Sequence, residues 1–250
     1  MNSRPTSSRP DCTRSGSLFT VLEELRYAVL EANLALPRNK LVTLTWGNAS
    51  GIDEDRELVV IKPSGLAYDD MTIEDLVVVD LDGNVVEGNL RPSSDTPSHV
   101  ALYRAFESIG GIVHTHSTWA TSFAQAEREI PILGTTHADL APLPIPVARR
   151  LRKEEIQGAY EANTATTLIE TVADRGTDKV PAVLAPGHGP FTWGKDADEA
   201  VEHAITLEEV AHIAFLTLTL RPDTEALSKT LRDRHFDRKH GPGAYYGQPA

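Results

Sequence analysis

His114, Thr115 and His116 close the apolar run GIVHTH at residues 111–116. On a strand, side chains at i and i+2 share a face. Two imidazoles at that spacing are able to grip one metal ion, and the same spacing also suits two solvated histidines at a strand end. His188 adds a third imidazole. It sits in Ala185-Pro186-Gly187-His188-Gly189-Pro190, directly after a buried-looking run, and its flanking glycines allow close approach of the chain. Three histidines with an open fourth position make a catalytic zinc site. Asp95, within Pro92-Ser93-Ser94-Asp95-Thr96-Pro97, is either a helix cap or a further ligand facing the metal from a helix start.

Two segments have the chemistry of anion cradles. Lys62-Pro63-Ser64-Gly65 follows a strand and combines a cation, a hydroxyl and backbone N–H groups. Ser93 and Ser94 place hydroxyls at the positive end of a helix dipole. Gly47-Asn48 forms a third turn of this kind, although each such turn alone is also an ordinary loop. Together they suggest a phosphate and sugar hydroxyls bound beside a metal. Asp139, in Gly134-Thr135-Thr136-His137-Ala138-Asp139, is a candidate general acid/base. Tyr245-Tyr246 lies in the tail, where a tyrosine is more often packing than chemistry.

The elements that must position these groups alternate along the chain. Helical periodicity starts at Leu18 and runs until Pro37. Strand-like pieces follow at 41–46 (LVTLTW), 57–62, 76–81 and 84–88, with Asp82-Gly83 as a hairpin signal between the last two. A helix begins near Ser94–Pro97 and is closed by Gly110-Gly111, and the GIVHTH strand leads into a second helix. Residues 154–176 read as one helix, 181–189 as a strand entering a turn, and 196–218 as a long amphipathic helix followed by a charged one. This order predicts an α/β fold of three layers (αβα): one domain over 20–250 with a central, largely antiparallel sheet between helices. Residues 1–19 read as a disordered N-terminal extension, with no apolar core for a signal peptide.

The formal net charge of -12 and the lack of a basic patch argue against nucleic acid or an acidic membrane as partner. Cys12 is the single cysteine, so no internal disulfide forms, any metal must be held by His, Asp or Glu, and the cytoplasm is the expected compartment. No stretch is apolar enough to span a bilayer.

In order and spacing, the motifs LEANLALPRNKLVTLTWGNAS, VIKPSG, RPSSDTPSH, GGIVHTHS, GTTHAD, GHGPFTWGKDADEAVEHAITLEEVA and RKHGPGAYYGQ resemble the L-ribulose-5-phosphate 4-epimerase family of the class II aldolase/adducin-head superfamily. The resemblance runs from about residue 20 to the end of the chain. It implies a zinc ion on His114, His116 and His188, with Asp95 as the fourth contact. It implies substrate contacts from Gly47, Asn48, Ser64, Gly65, Ser93 and Ser94, with Lys62 and Arg238 assisting at the phosphate or the site edge. Asp139 and Tyr246 are the implied proton carriers, Tyr246 reaching a neighbouring subunit's site in a homotetramer. The chain departs from the pattern in its N-terminal extension, in the Pro-rich Ala141–Pro146 stretch and at Pro186.

The implied reaction interconverts L-ribulose 5-phosphate and D-xylulose 5-phosphate by cleaving and re-forming the C3–C4 bond. Two neighbours remain as alternatives: a class II sugar-phosphate aldolase, which releases the aldehyde, and a non-catalytic adducin-head-like domain. An Asp rather than a Glu at 95, and Asp139 paired with the AYYGQ tail, favour the epimerase.

Overall fold

The computed structural model describes residues 14–247, with side chains from residue 22 onward. Its centre is a seven-stranded sheet in the order β4-β3-β2-β1-β5-β7-β6. The strands are β1 (Asn48–Ile52), β2 (Leu58–Ile61), β3 (Val77–Asp80), β4 (Val85–Glu87), β5 (Gly111–His114), β6 (Ala182–Ala185) and β7 (Gly189–Gly194). All neighbouring strands pair antiparallel.

Strand alternation divides the core into two faces. Val59, Val77, Val79, Ile112, Val183 and Phe191 face one cluster, with α2 (Thr96–Ala105) and α6 (Tyr160–Val172). Val60, Val78 and Val113 face another, with α1 (Arg14–Arg38) and the first half of α7 (Ala197–Leu220). The second half of α7 packs with α3 (Thr118–Gln125), the end of α4 (Thr135–Leu140), and Ala182 and Leu184 of β6. The expected helix–sheet–helix layering is therefore present. Each fully buried Val, Leu or Ile contributes about 1.5–3 kcal/mol, so both faces of the central strands are strongly specified. α5 (Lys153–Gln157) and α8 (Lys229–His240) complete the described α-helices.

Three local expectations change. LVTLTW at 41–46 is a loop, not a strand: Lys40 and Leu44 adopt left-handed φ of 58° and 55°, and Leu44 is exposed. These residues run past the end of β5, whose ladder with β1 starts at the pair Asn48–His114, so they have no strand to pair with. Residues 154–176 form two helices, because Gly158 leaves helical space at φ -95°, ψ -132° and Tyr160 restarts the chain in a new helix. The first helix begins at Arg14 rather than Leu18, within the stretch read as a tail; residues 1–13 of that extension lie outside the described residues.

Candidate metal centre and substrate pocket

The site grows from one row of the sheet. Asn48 on β1, His114 on β5 and Phe191 on β7 are cross-strand partners, so their side chains share a face. The His114 ring stacks on Phe191 with centroids 4.1 Å apart. Its Nδ1–H donates to the Pro190 carbonyl at 2.9 Å, which leaves Nε2 with a free lone pair. His116 lies just beyond β5, and His188 comes from the turn between β6 and β7. Gly187 makes that turn at φ 66°, where a side chain would be strained.

The three rings meet with centroids 5.1, 4.7 and 4.9 Å apart. One potential ligand atom from each lies within 4.8 Å of the others. Burial, reinforced by the neighbouring imidazoles, lowers His188 to about 4 and pushes His116 below its usual value. A metal requires neutral imidazoles, and zinc–nitrogen bonds of about 2.0–2.1 Å need only modest closure of such a group. The donor set therefore fits a divalent metal.

Asp95 occupies the cap position of α2, but its side chain makes no capping bond. Its Oδ2 instead accepts from Asn48 Nδ2 at 2.7 Å, while the same Nδ2 reaches Ser93 Oγ at 3.1 Å. Burial works to raise its pKa, but His114, His99 and the Asn48 bond outweigh that and hold the carboxyl below the ordinary range. The three histidines meet the 4.8 Å mutual spacing without a contribution from the Asp95 carboxylate.

A cavity of about 330 Å³ opens in front of these residues. Gly47, Asn48, Lys62, Ser64 and Gly65 line it, together with Ser93, Ser94, Asp95 and the three histidines. Gly47 has a steric reason: at φ 76°, a Cβ there would come within 2.9 Å of the His114 carbonyl. The cradle differs in one respect from its sequence reading. The N–H groups of Ser64 and Ser93 are taken by the Arg91 and Lys62 carbonyls at 2.9 and 3.0 Å. Their hydroxyls remain as candidate contacts. Lys62 is almost fully buried, donates to the Leu66 carbonyl at 2.9 Å and lies 4.8 Å from the Tyr68 ring. Burial lowers its pKa to about 8.

Asp139, Arg238 and Tyr246 do not line this cavity. Asp139 on α4 and Arg238 on α8 form a second cluster, joined by Tyr246 from the segment after α8. Arg238 donates to both carboxylate oxygens of Asp139, and its guanidinium lies 4.9 Å from the Tyr246 ring. Burial acts to raise the Asp139 pKa, and the hydrogen bonds from Arg238 and His235 more than reverse it, so the group is held as a carboxylate.

The family model described as "Class II Aldolase and Adducin N-terminal domain" matches residues 27–215. L-ribulose-5-phosphate 4-epimerases UlaF of Salmonella paratyphi A and Salmonella typhi are each 53% identical over 227 residues, covering 91% of this chain and all of theirs. This chain belongs to the class II aldolase and adducin N-terminal domain family. Among solved members of this class II aldolase fold, an L-fuculose 1-phosphate aldolase is 25% identical at a TM-score of 0.73, covering 86% of this chain and 95% of its own. The fold is also that of L-fuculose-1-phosphate aldolase from Thermus thermophilus, at 24% identity and a TM-score of 0.63, covering 81% and 98% of the two chains.

Two polar side chains of this class II aldolase-family site escaped the sequence reading. Tyr160 approaches His188, and His235 joins Arg238 on Asp139. The i, i+3 spacing of His235 and Arg238 was the available signal for the second. Tyr160 was hidden inside a segment that reads as one continuous helix. Among the described residues, no helix is long and apolar enough to cross a membrane.

Proposed function

We propose that the protein is a zinc-dependent, cytoplasmic epimerase that interconverts L-ribulose 5-phosphate and D-xylulose 5-phosphate. The carrying observation is the meeting of His114, His116 and His188 with an anion-suited cavity in a chain 53% identical to proteins named for that activity.

The substrate's own chemistry explains why such a site is needed. Its carbonyl is at C2 and the inverted centre is C4, β to it, so the C4 proton is not acidic. Cleavage of C3–C4 after removal of the C4 hydroxyl proton inverts the centre if the aldehyde turns over before re-addition. Zinc held by the three histidines would supply a Lewis acid for the charge developing at the carbonyl end. Lys62, Ser64, Gly65, Ser93 and Ser94 would hold the phosphate and so keep the aldehyde from leaving, with Gly47 and Asn48 shaping the adjoining wall. Arg238 would act at the site edge.

Re-addition from the other face puts the C4 oxygen on the opposite side, so two proton carriers are required. Asp139 and Tyr246 are assigned that work. Their separation from the cavity within one chain supports a homotetramer in which a neighbouring subunit delivers them. Exposed Phe215, Leu216 and Leu220 near the end of α7 offer apolar surface for such an assembly.

The alternative is an aldolase, favoured by the fold shared with L-fuculose 1-phosphate aldolase. Incubation with L-ribulose 5-phosphate separates the two: an equilibrium mixture with D-xylulose 5-phosphate and no free fragments supports the epimerase, and net release of glycolaldehyde phosphate with dihydroxyacetone supports the aldolase.

A further inference from the structure

His188 is the histidine of the metal group that a turn, rather than β5 or its continuation, delivers. Glycines flank it on both sides, so no neighbouring side chain in sequence packs its ring into one orientation. An imidazole left free to flip presents either nitrogen, and either tautomer, to the site. His114 avoids this through its Nδ1–H bond to the Pro190 carbonyl at 2.9 Å.

For His188 the matching contact comes from Tyr160, whose hydroxyl lies 3.4 Å from Nδ1. Tyr160 opens α6 and is itself anchored: its carbonyl accepts from Thr164 Oγ1 at 2.9 Å, and its N–H donates to Gly158 at 3.0 Å. The helix break at Gly158 is what lets α6 start here and aim this residue at the turn. Tyr160 does not line the cavity in front of the histidines. It lines a neighbouring one of about 340 Å³ that shares His188 as a wall. It therefore touches the candidate ligand from behind and has no contact with the substrate space.

We infer that Tyr160 is a positioning residue for the metal centre: its hydroxyl accepts Nδ1–H of His188 and so turns Nε2 toward His114 and His116. The inference rests on the reading of the three histidines as a metal site. Outer partners of this kind set the orientation and basicity of a ligating imidazole, and losing one typically weakens metal affinity about 10–100-fold.

Tyr160→Phe removes the hydroxyl and keeps the ring. Chelator-stripped parent and variant would be titrated with Zn²⁺ against a chromophoric chelator, and loaded with Co²⁺ for visible absorption. The expected result is Zn²⁺ affinity about 10–100-fold weaker in the variant, a changed Co²⁺ spectrum, and metal-free melting temperatures that agree. Equal Zn²⁺ affinities and superimposable Co²⁺ spectra would overturn the role of Tyr160 and leave the metal site standing. A parent protein that takes up neither ion would overturn both.

Discussion

Arg238 grips Asp139 through two hydrogen bonds, from Nε at 3.0 Å to one carboxylate oxygen and from Nη2 at 2.5 Å to the other. The pairing keeps Asp139 ionised, a state suited to accepting a proton, and draws Tyr246 into the same cluster. None of the three lines the cavity beside His114, His116 and His188. If a neighbouring subunit unites the two clusters, defects on opposite halves must complement. Tyr246→Phe and His114→Ala subunits, each inactive alone, should regain part of the parent activity when mixed under conditions of subunit exchange. Exchange without recovery would confine Tyr246 to its own chain or remove it from the reaction.

His114→Ala and His188→Ala should each lose most bound zinc, measured by elemental analysis after dialysis, and nearly all activity. A three-ligand site has no spare member. His114→Ala should also lower the melting temperature, because its ring stacks on buried Phe191. The truncation leaves a cavity worth about 2–4 kcal/mol.

If Lys62 holds the substrate phosphate as proposed, binding must depend on its charge. Burial lowers its pKa to about 8, so its charge is present below that pH and is lost above it. KM for the phosphorylated substrate should therefore climb as pH rises through 8, with a smaller change in kcat. Lys62→Met should raise KM at pH 7 and flatten this climb. The sign for folding is opposite: the unfolded chain holds the proton up to about 10.4, so stability contributed by this group rises between about pH 8 and 10.4. A KM that ignores pH in this range would remove Lys62 from substrate binding.

Gly47→Ala tests the close approach of the loop to the metal row. The added Cβ would meet the Val42 side chain at 2.8 Å and the His114 carbonyl at 2.9 Å, at a φ of 76°. Thermal melting should show a loss of about 1–3 kcal/mol, and zinc affinity should fall because His114 is pushed. An unchanged melting temperature would mean that the loop relaxes freely.

Much of this was legible where the signal is local. The β3–β4 hairpin follows from a valine run and Asp82-Gly83, and its ladder is present. LVTLTW alternates apolar and polar residues as a strand does and fails, because pairing depends on a neighbouring strand that has already ended at His114. β7 was hidden because GPFTWG lacks alternation and begins with Gly-Pro, yet it lies between β5 and β6 and brings His188 to His114. The His-x-His pair was ambiguous alone; the Gly-His-Gly turn offered His188 as a third ligand, and the sheet topology brings its ring to the pair. The separation of Asp139 from the cavity was not legible in GTTHAD, since a local motif does not say that its carboxylate packs against Arg238, 99 residues further along the chain.

Whether the protein epimerises by breaking C3–C4 is read most directly at the C4–H bond. L-ribulose 5-phosphate deuterated at C4 would be incubated with zinc-loaded protein, and the product analysed by NMR for stereochemistry and label. Bond cleavage between C3 and C4 predicts D-xylulose 5-phosphate that retains the deuterium. D-xylulose 5-phosphate that has lost its label to solvent, or no D-xylulose 5-phosphate at all, would contradict cleavage of C3–C4.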